Sequence, residues 1–586
     1  MEKHFLTTLL YGLFCTLPAT AQFRDITQSA GLPLKGYSQG IAIGDYNNDG
    51  WEDLYISVET GNNRLCKNNG DGTFSEVADD LGLAFSEKTK TAVWGDFNND
   101  GWLDLYVANL RTADQLLLNE GNGTFENITE QAGISNVTPN PTSVNLADVN
   151  QDGFLDIYVS NFKAENILYI NNGDLTFTDK TLESGTTDTG SSMGSLFFDY
   201  DGDGDQDLYL VHDNIEPNIL YENDGTGHFT DVSRATRTNV RGYGMGVAVG
   251  DVNNDALPDL YITNLFKNYL LINQGNGTFF ERAQPTQTDD FGMGWGTTFL
   301  DFNNDGLQDI YVSNDSYFSE FDNVLYENRG DLDGQGVRFE KVAANTQSWQ
   351  AGYGIACFDH NQDGQTDLTL ANYGENDYTQ LFRNENTKNN YLDLFLVGTE
   401  SNRQAIGATV IIETDNGQKY YQTLTAGHGW ASQNSSRLHF GIPKEISITN
   451  IQISWPSGLT QTLAPLPLSS AYTVVEGEAP KVGIYPSALV TSIVESKIQR
   501  SPTISVFPNP AKDHFSVTIK TNSPNDYWLN IFNSQGQRIG EPRFMPNLTG
   551  KETILIHPLP NASSGLLFIQ LRSTNHLLTK KISYEK

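Results

Sequence analysis

Seven times between residues 45 and 367 the chain repeats a nine-residue pattern, Asp-x-(Asn or Asp)-x-Asp-(Gly or Ala)-x-x-Asp, starting at Asp45, Asp96, Asp148, Asp199, Asp251, Asp301 and Asp359. The starts lie 50 to 58 residues apart, a period that belongs to propeller blades rather than to most solenoids. An apolar, glycine-bearing stretch leads into each loop, as in Gly40–Gly44 and Gly354–Phe358, and a run of strand formers such as Leu54–Val58 leads out. A third run follows, as in Asn166–Ile170 or Asn218–Glu222, then a glycine turn such as Asn69–Gly72, then a fourth run opened by Phe74, Phe125, Phe177, Phe229, Phe279 or Phe339. Four strands in each of seven units predict an all-β chain headed by a seven-bladed β-propeller over residues 22–387.

The seventh unit has no fourth run of its own. At the other end of the repeat region, Phe23-Arg-Asp-Ile-Thr27 matches Phe125-Glu-Asn-Ile-Thr129. Residues 23–27 are therefore expected to be the outer strand of the last blade, which closes the ring and removes an exposed sheet edge.

Oxygen side chains at positions 1, 3, 5 and 9 of a turn suit a hard cation that needs several oxygen ligands, and position 7 would contribute its backbone carbonyl, as in the Ca²⁺ loop of an EF-hand. Strands instead of helices flank these loops, which makes them hairpin tips. The expected ligand sets are Asp45, Asn47, Asp49, Trp51 and Asp53; Asp96, Asn98, Asp100, Trp102 and Asp104; Asp148, Asn150, Asp152, Phe154 and Asp156; and Asp199, Asp201, Asp203, Asp205 and Asp207. The remaining three are Asp251, Asn253, Asp255, Leu257 and Asp259; Asp301, Asn303, Asp305, Leu307 and Asp309; and Asp359, Asn361, Asp363, Gln365 and Asp367. Up to seven Ca²⁺ are expected, one per hairpin. The Asp199 loop, richest in carboxylates, should bind tightest, and the Asp251 loop, with Ala256 where the others have Gly, should bind most weakly.

The chain holds 72 acidic and 36 basic residues, a net charge of −36. That balance excludes a basic face for nucleic acid. Residues 1–21 read as an export signal, with Lys3 before an apolar run and Ala19-Thr20-Ala21 as the cleavage site. No later stretch is long and apolar enough to predict a membrane span. Of the cysteines beyond the signal, Cys66 and Cys357 fall on different kinds of strand and are read as free, buried thiols.

From residue 388 the repeat ends. Short strands over 391–397, 408–413, 420–424, 438–440 and 451–455 predict a small β domain across 388–477. Residues 478–503 read as a linker, and strands over 515–520, 528–532, 553–556 and 566–571 predict a β-sandwich over 504–586.

Three resemblances follow from these residues. The loops and their glycine-bearing lead-ins resemble the FG-GAP repeats of integrin α-subunit propellers, which implies Ca²⁺ at the hairpins. Asn402–Ala408, Gly427-His-Gly-Trp-Ala-Ser-Gln433, Leu438–Gly441 and Trp455-Pro-Ser-Gly458 look like the ASPIC and UnbV domain. That pairing is similar to the cartilage acidic protein 1 family of secreted proteins. Val506–Ala511, Ile531–Gly536 and Gly565–Gln570 resemble the C-terminal sorting domain of type IX secretion substrates, which implies handling by that secretion machinery and a secreted or cell-surface protein.

Two further candidates sit off the hairpins. Tyr37, Tyr243, Phe291, Trp295, Trp349 and Tyr353 lie just ahead of the inner strands, near the face opposite the loops, where their rings either stack on a ligand or pack neighbouring blades. Gly190-Ser-Ser192-Met-Gly194 matches a nucleophile elbow in letters, but it precedes an inner strand and lacks the helix that motif needs. His428 and His439 are read as structural parts of the small domain. The functional expectation is an exported, non-catalytic, Ca²⁺-binding propeller acting in adhesion or in binding an extracellular protein or glycan. The alternative is a polysaccharide lyase or hydrolase, or a carbohydrate-binding accessory, using the central opening.

Overall fold

A computed structural model describes residues 22–484 except 33, 135–139, 317–320, 332–333, 335, 347–349 and 387, and residues 503–584 except 508–514, 535–536, 541, 557–564 and 573–576. The signal segment, Trp349 and most of the linker lie outside the described residues. The chain forms two compact units that divide near residue 490.

In the first unit, seven four-stranded antiparallel sheets follow one another. Blade 2 is typical, with strands Thr89–Gly95, Asp104–Asn109, Gln115–Asn119 and Phe125–Asn127 paired in sequence order. The second strand of blades 1 to 6 is buried along its length, from Asp53–Val58 to Asp309–Asn314, because neighbouring blades cover both of its faces. That is why an unbroken apolar or aromatic triplet such as Leu-Tyr-Ile follows each leading Asp. The core is accordingly a set of layers between adjacent blades. Leu196, Phe198 and Tyr209 of blade 4, for instance, pack with Val247, Leu260 and Ile262 of blade 5. A single helical turn absent from the sequence reading follows the outer strand in blades 1 to 5, beginning with Ala78–Leu81; four residues are too few to leave a periodic signal.

Blade 7 is assembled from both ends of the repeat region. Its strands Gly352–Phe358, Asp367–Tyr378 and Gln380–Asn384 are joined by Phe23–Asp25, with Phe23 opposite Asn384 and Asp25 opposite Phe382. Phe23 is fully buried and packs with Phe302, Leu368 and Phe382. A second seam joins the first and last blades, where Lys35–Tyr37 pairs with Tyr373–Tyr378.

Residues 390–482 form two further sheets. One takes Asn390–Val397, Arg437–Ile442, Ser470–Val475 and Lys481–Val482, and the other takes Thr409–Thr414, Lys419–Thr423, Ile448–Ser454 and Thr460–Leu463. The strands at 460–463 and 470–475 went unread in the sequence because polar and small residues interrupt them. In the second unit, Phe515–Asn533 is one 19-residue strand rather than two. It links Thr503–Phe507, Arg543–Ile556 and Gly565–Arg572, and Leu577–Tyr584 adds the outermost strand. Val517, Ile519, Leu529, Ile554 and Ile569 are among the side chains of its core.

Candidate metal centres and the domain seated on them

Each hairpin folds around its own first Asp. In loop 1, Asp45 accepts from the N–H of Asp49 at 3.0 Å and of Gly50 at 2.8 Å, and Asp49 accepts from the N–H of Trp51 at 3.0 Å. Loops 2, 3, 5, 6 and 7 repeat this turn around Asp96, Asp148, Asp251, Asp301 and Asp359. Loop 4 differs, with Asp199 accepting from Gly202 and Gly204. Position 6 has positive φ throughout, 89° at Gly50 and 68° at Ala256, so the one alanine sits in a left-handed conformation that costs a side-chain-bearing residue about 1–2 kcal/mol.

The ninth residue has two tasks. Asp53, Asp104, Asp156, Asp207, Asp259, Asp309 and Asp367 are almost wholly buried, and each accepts from the backbone N–H of the Asn that ends the third strand at 2.7–2.9 Å. In loops 2 to 7 the other carboxylate oxygen accepts from the N–H at position 2. Asp367 also meets the ring nitrogen of His360, a partner that the position-9 Asp of the other loops lacks among the described residues.

Burial dominates the electrostatics of these loops. It pushes the carboxyls of Asp45, Asp96, Asp251, Asp301 and Asp359 up to about 7, and neighbouring acids add to the effect. Asp148 and Asp199 rise to about 6 and Asp207 to about 9, again chiefly through desolvation. The first carboxylates, half-buried or buried, and the buried ninth ones would be balanced by a cation. In loop 4 the donor set fits a hard one. Carboxylate oxygens of Asp199, Asp201 and Asp207 lie within 4.8 Å of one another, the span expected around an ion that holds oxygens at roughly 2.3–2.6 Å. In loop 7 the side-chain oxygen of Asn361, at position 3, is buried with no hydrogen-bond partner.

Two sets of residues that the sequence reading passed over tie neighbouring loops and blades together, the first at five of the seven junctions. Position 4 has φ of 54–58° at Asn48, Asn99, Asn254, Asn304 and Gln362, and its side-chain amide donates to the position-6 carbonyl of the next loop. The distances are 3.0 Å from Asn48 to Gly101, 2.8 Å from Asn99 to Gly153, 3.2 Å from Asn254 to Gly306, 3.0 Å from Asn304 to Gly364 and 2.8 Å from Gln362 to Gly50. Loop 4 has Gly202 there and no side chain to reach with. The second set is the buried Asn that ends each third strand. Asn68, Asn119, Asn171, Asn223, Asn273, Asn328 and Asn384 each donate to the position-2 carbonyl of the preceding blade at 2.7–2.9 Å, and Asn68 to His360 closes the circle. The signal was present as an Asn 14 to 19 residues after each ninth Asp.

The small domain sits on this ring of loops. Its Arg403 N–H donates to Asn99 Oδ1 at 2.8 Å, and Gln404 Oε1 accepts from the N–H of Asp96 at 2.7 Å. Arg437 donates to the Gly50 carbonyl at 2.9 Å and faces Glu52, whose other oxygen accepts from Ser435 at 2.7 Å. His439 lies between Asp393 at 2.7 Å and Asn304 Oδ1 at 2.8 Å, so both ring nitrogens face acceptors. Burial works to lower its pKa, but the Asp393 charge and hydrogen bond outweigh that and raise it. A Cβ on Gly364 would fall 2.0 Å from the Tyr391 ring.

From this seat, residues 426–435 enter the central opening and satisfy the free edges of the inner strands. Leu146 N–H donates to Ala426 O at 3.0 Å, and Gly429 and Val247 exchange bonds of 2.7 and 3.1 Å. Gln433 accepts from Ile43 N–H at 3.1 Å and pairs through its side chain with Trp94 N–H and C=O at 2.8 and 3.1 Å. Asn434 accepts from Cys357 N–H at 2.8 Å. This close approach accounts for the glycine in the lead-ins: a Cβ on Gly40 would fall 1.7 Å from the Ala431 carbonyl, and one on Gly354 2.6 Å from Ser432 Oγ. The opening offered to a polysaccharide in the alternative reading is therefore filled over this length by the chain's own backbone.

Trp430 carries the segment into the aromatic set. Its ring meets Trp295 at 4.8 Å, Trp295 stacks on Tyr353 at 4.2 Å, Tyr353 on Tyr373 at 4.8 Å, and Tyr373 meets Tyr37 at 5.0 Å. Of the predicted aromatic candidates, Tyr353 is buried, Tyr37, Tyr243 and Trp295 are half-buried, and Phe291 is exposed. For Tyr353 and Trp295 packing is the role observed, because Trp430, far away in sequence, supplies the surface they pack on. Cys66 and Cys357 are both buried and unbridged, and Ser192 donates to Asp188 Oδ2 at 2.7 Å.

The FG-GAP-like repeat family matches residues 45–107, 96–159, 148–210, 199–262, 264–312 and 301–370. The ASPIC and UnbV family matches 398–481, and the secretion system C-terminal sorting domain matches 505–585. Cartilage acidic protein 1 of Mus musculus is 27% identical over 202 residues, which cover 32% of this chain and 31% of that protein. Its Homo sapiens counterpart is 26% identical over 199 residues, 32% of this chain and 30% of that protein. The match thus spans about a third of these curated relatives. Among solved structures, an Agrocybe aegerita lectin specific for non-reducing terminal N-acetylglucosamine is 19% identical with a TM-score of 0.35, over 54% of this chain and 83% of that one. Saccharomyces cerevisiae Sqt1 is 11% identical with a TM-score of 0.38, over 61% and 97%.

Proposed function

The chain belongs to the FG-GAP-like repeat family, and from that premise we propose that it is a non-catalytic, Ca²⁺-stabilised propeller that binds a protein or glycan outside the cell. Its sorting domain marks it as a type IX secretion substrate, secreted or held at the cell surface. Residues 1–21 fit the export signal such a route requires. Among the described residues no helix is long and apolar enough to cross a membrane.

The observation that carries the metal reading is the acidic hairpin, repeated seven times, with its first carboxylate folded onto the turn and its buried ninth anchored beneath it. Side chains at positions 1, 3, 5 and 9 and the carbonyl at 7 would hold each ion. Bound there, Ca²⁺ would supply the positive charge the loops lack. The residues themselves tie loop to loop and carry the small domain. At an affinity of about 10⁻⁴ M, typical of the tighter extracellular modules, millimolar Ca²⁺ would stabilise by roughly 1–2 kcal/mol per site.

For the partner, the face opposite the loops is the better surface, since 426–435 fills the opening. Phe266 and Phe291 are each 58% exposed and adjacent, with the Phe266 N–H donating to Gly292 O at 2.9 Å. These two exposed rings offer the apolar contact that a receptor surface needs. Screening the mature protein and a Phe266→Ser/Phe291→Ser variant on glycan and matrix-protein arrays tests this reading. Loss of a wild-type hit in the variant supports it, whereas polysaccharide cleavage by the wild type would replace it with an enzyme.

A further inference from the structure

We propose that the propeller and the small domain enclose between them a binding site for an uncharged, hydroxyl-bearing molecule of monosaccharide size, centred on His428. A cavity of about 130 Å³ lies there, lined by blades 5 to 7 and by the small domain with its inserted segment. At ~10–15 Å³ per water, that is room for on the order of ten water-sized groups.

His428 lines the cavity and is buried, and neither of its ring nitrogens has a hydrogen-bond partner among the described residues. An imidazole in that state leaves one donor and one acceptor unsatisfied, an arrangement native interiors avoid. The chain supports the ring's backbone, with the His428 N–H donating to Ser432 O at 2.8 Å, but gives nothing to its side chain. Desolvation alone lowers its pKa to about 3, so the ring is neutral.

The remaining walls specify the occupant. The ionic groups nearby are committed to each other or to the loops: His439 is held by Asp393 and Asn304, and Arg437 by Gly50 and Glu52. Among the described lining residues no cation is therefore left unpaired to hold an anion. Ala248, Phe299 and Leu424 give it apolar patches, whereas Thr298 and Cys357 add neutral polar ones. Water over the apolar patches would forfeit hydrogen bonds, while a ring with a C–H face and a hydroxyl rim satisfies both kinds of surface.

The experiment is ligand-observed saturation-transfer NMR on the mature protein with glucose, galactose, mannose and N-acetylglucosamine, with glucuronate as the charged control. Wild type, His428→Phe and His428→Gln are compared. The proposal expects transfer from at least one neutral sugar, at least a tenfold loss of affinity in His428→Phe, affinity within about threefold of wild type in His428→Gln, and no glucuronate binding. It is overturned if no sugar binds, if His428→Phe binds as wild type does, or if glucuronate binds equally well. Should His428→Phe fail to fold, a wild-type crystal soaked with the binding sugar decides: sugar density in contact with His428 supports the site, and water alone overturns it.

Discussion

The side-chain amide of Gln362 donates to the carbonyl oxygen of Gly50 at 2.8 Å, across 312 residues of sequence. One bond thereby ties the last loop of the ring to the first, on the rim where Arg437 of the small domain also reaches Gly50. Loop, ring and small domain meet at this carbonyl.

The buried strand-end Asn residues should matter more than the exposed Gln362 amide. Asn68→Ala removes donors to His360 O and Glu52 O from a buried site, so a loss of about 1–3 kcal/mol is expected. Gln362→Ala, at a loop tip, should cost about 0.5–1 kcal/mol. Chemical denaturation of the two variants checks the order, and equal effects would reject it.

Ala256 is the one non-glycine at position 6, at φ 68°. Ala256→Gly should therefore raise stability by about 1 kcal/mol, and it should tighten the fifth site in a Ca²⁺ titration. An unchanged melting curve would mean that the loop carries no strain there.

His212 lies between Asp188 at 3.1 Å and the Pro217 carbonyl at 2.6 Å, so its ring donates on both sides only when charged. Burial opposes that charge, yet the Asp188 and Pro217 hydrogen bonds win and raise the His212 pKa above 6.5. For Asp188, burial likewise opposes the charge, and the His212 and Ser192 hydrogen bonds hold its pKa below 3.8. The sign follows for each partner. The His212 contribution is complete below pH 6.5 and fades as pH rises through the raised value; the Asp188 contribution is complete above pH 3.8 and fades as pH falls through the lowered one. Stability from this pair should peak between about pH 4 and 6.5, and His212→Asn should flatten that part of the stability profile.

Trp430 anchors the inserted segment among Met193, Met245, Trp295 and Tyr353. Trp430→Ala should cost about 3–5 kcal/mol and unseat the segment, which limited proteolysis would detect as new cleavage within 425–435. A variant as resistant as wild type would show that the backbone bonds of Gly429 and Gln433 suffice.

The repeat was legible because its chemistry is local. A turn that needs oxygens at alternate positions writes them into nine consecutive residues, and buried second strands write continuous apolar runs. Closure by Phe23–Asp25 was legible too, because the missing fourth run of blade 7 had one matching text elsewhere. The seating of the small domain was not. Gln433 meets Trp94 and His439 meets Asn304 through bonds between segments more than a hundred residues apart, and nothing in either segment names the other. His428 read as structural for the same reason: its lack of a partner is a property of the assembled interior. The position-4 amides and the strand-end Asn residues stood in plain sight as a pattern, but Asn in a turn has an ordinary explanation, and that explanation hid the second use.

The most direct test of the account is the melting temperature and Ca²⁺ content of the mature protein with 2 mM Ca²⁺ and with excess chelator. The account predicts up to seven bound Ca²⁺ per chain, a melting temperature that falls by at least roughly 10 °C on chelation, and new proteolytic cleavage of the 425–435 segment as the loops lose their charge balance. An unchanged melting temperature, with no Ca²⁺ retained by the purified protein, would contradict it.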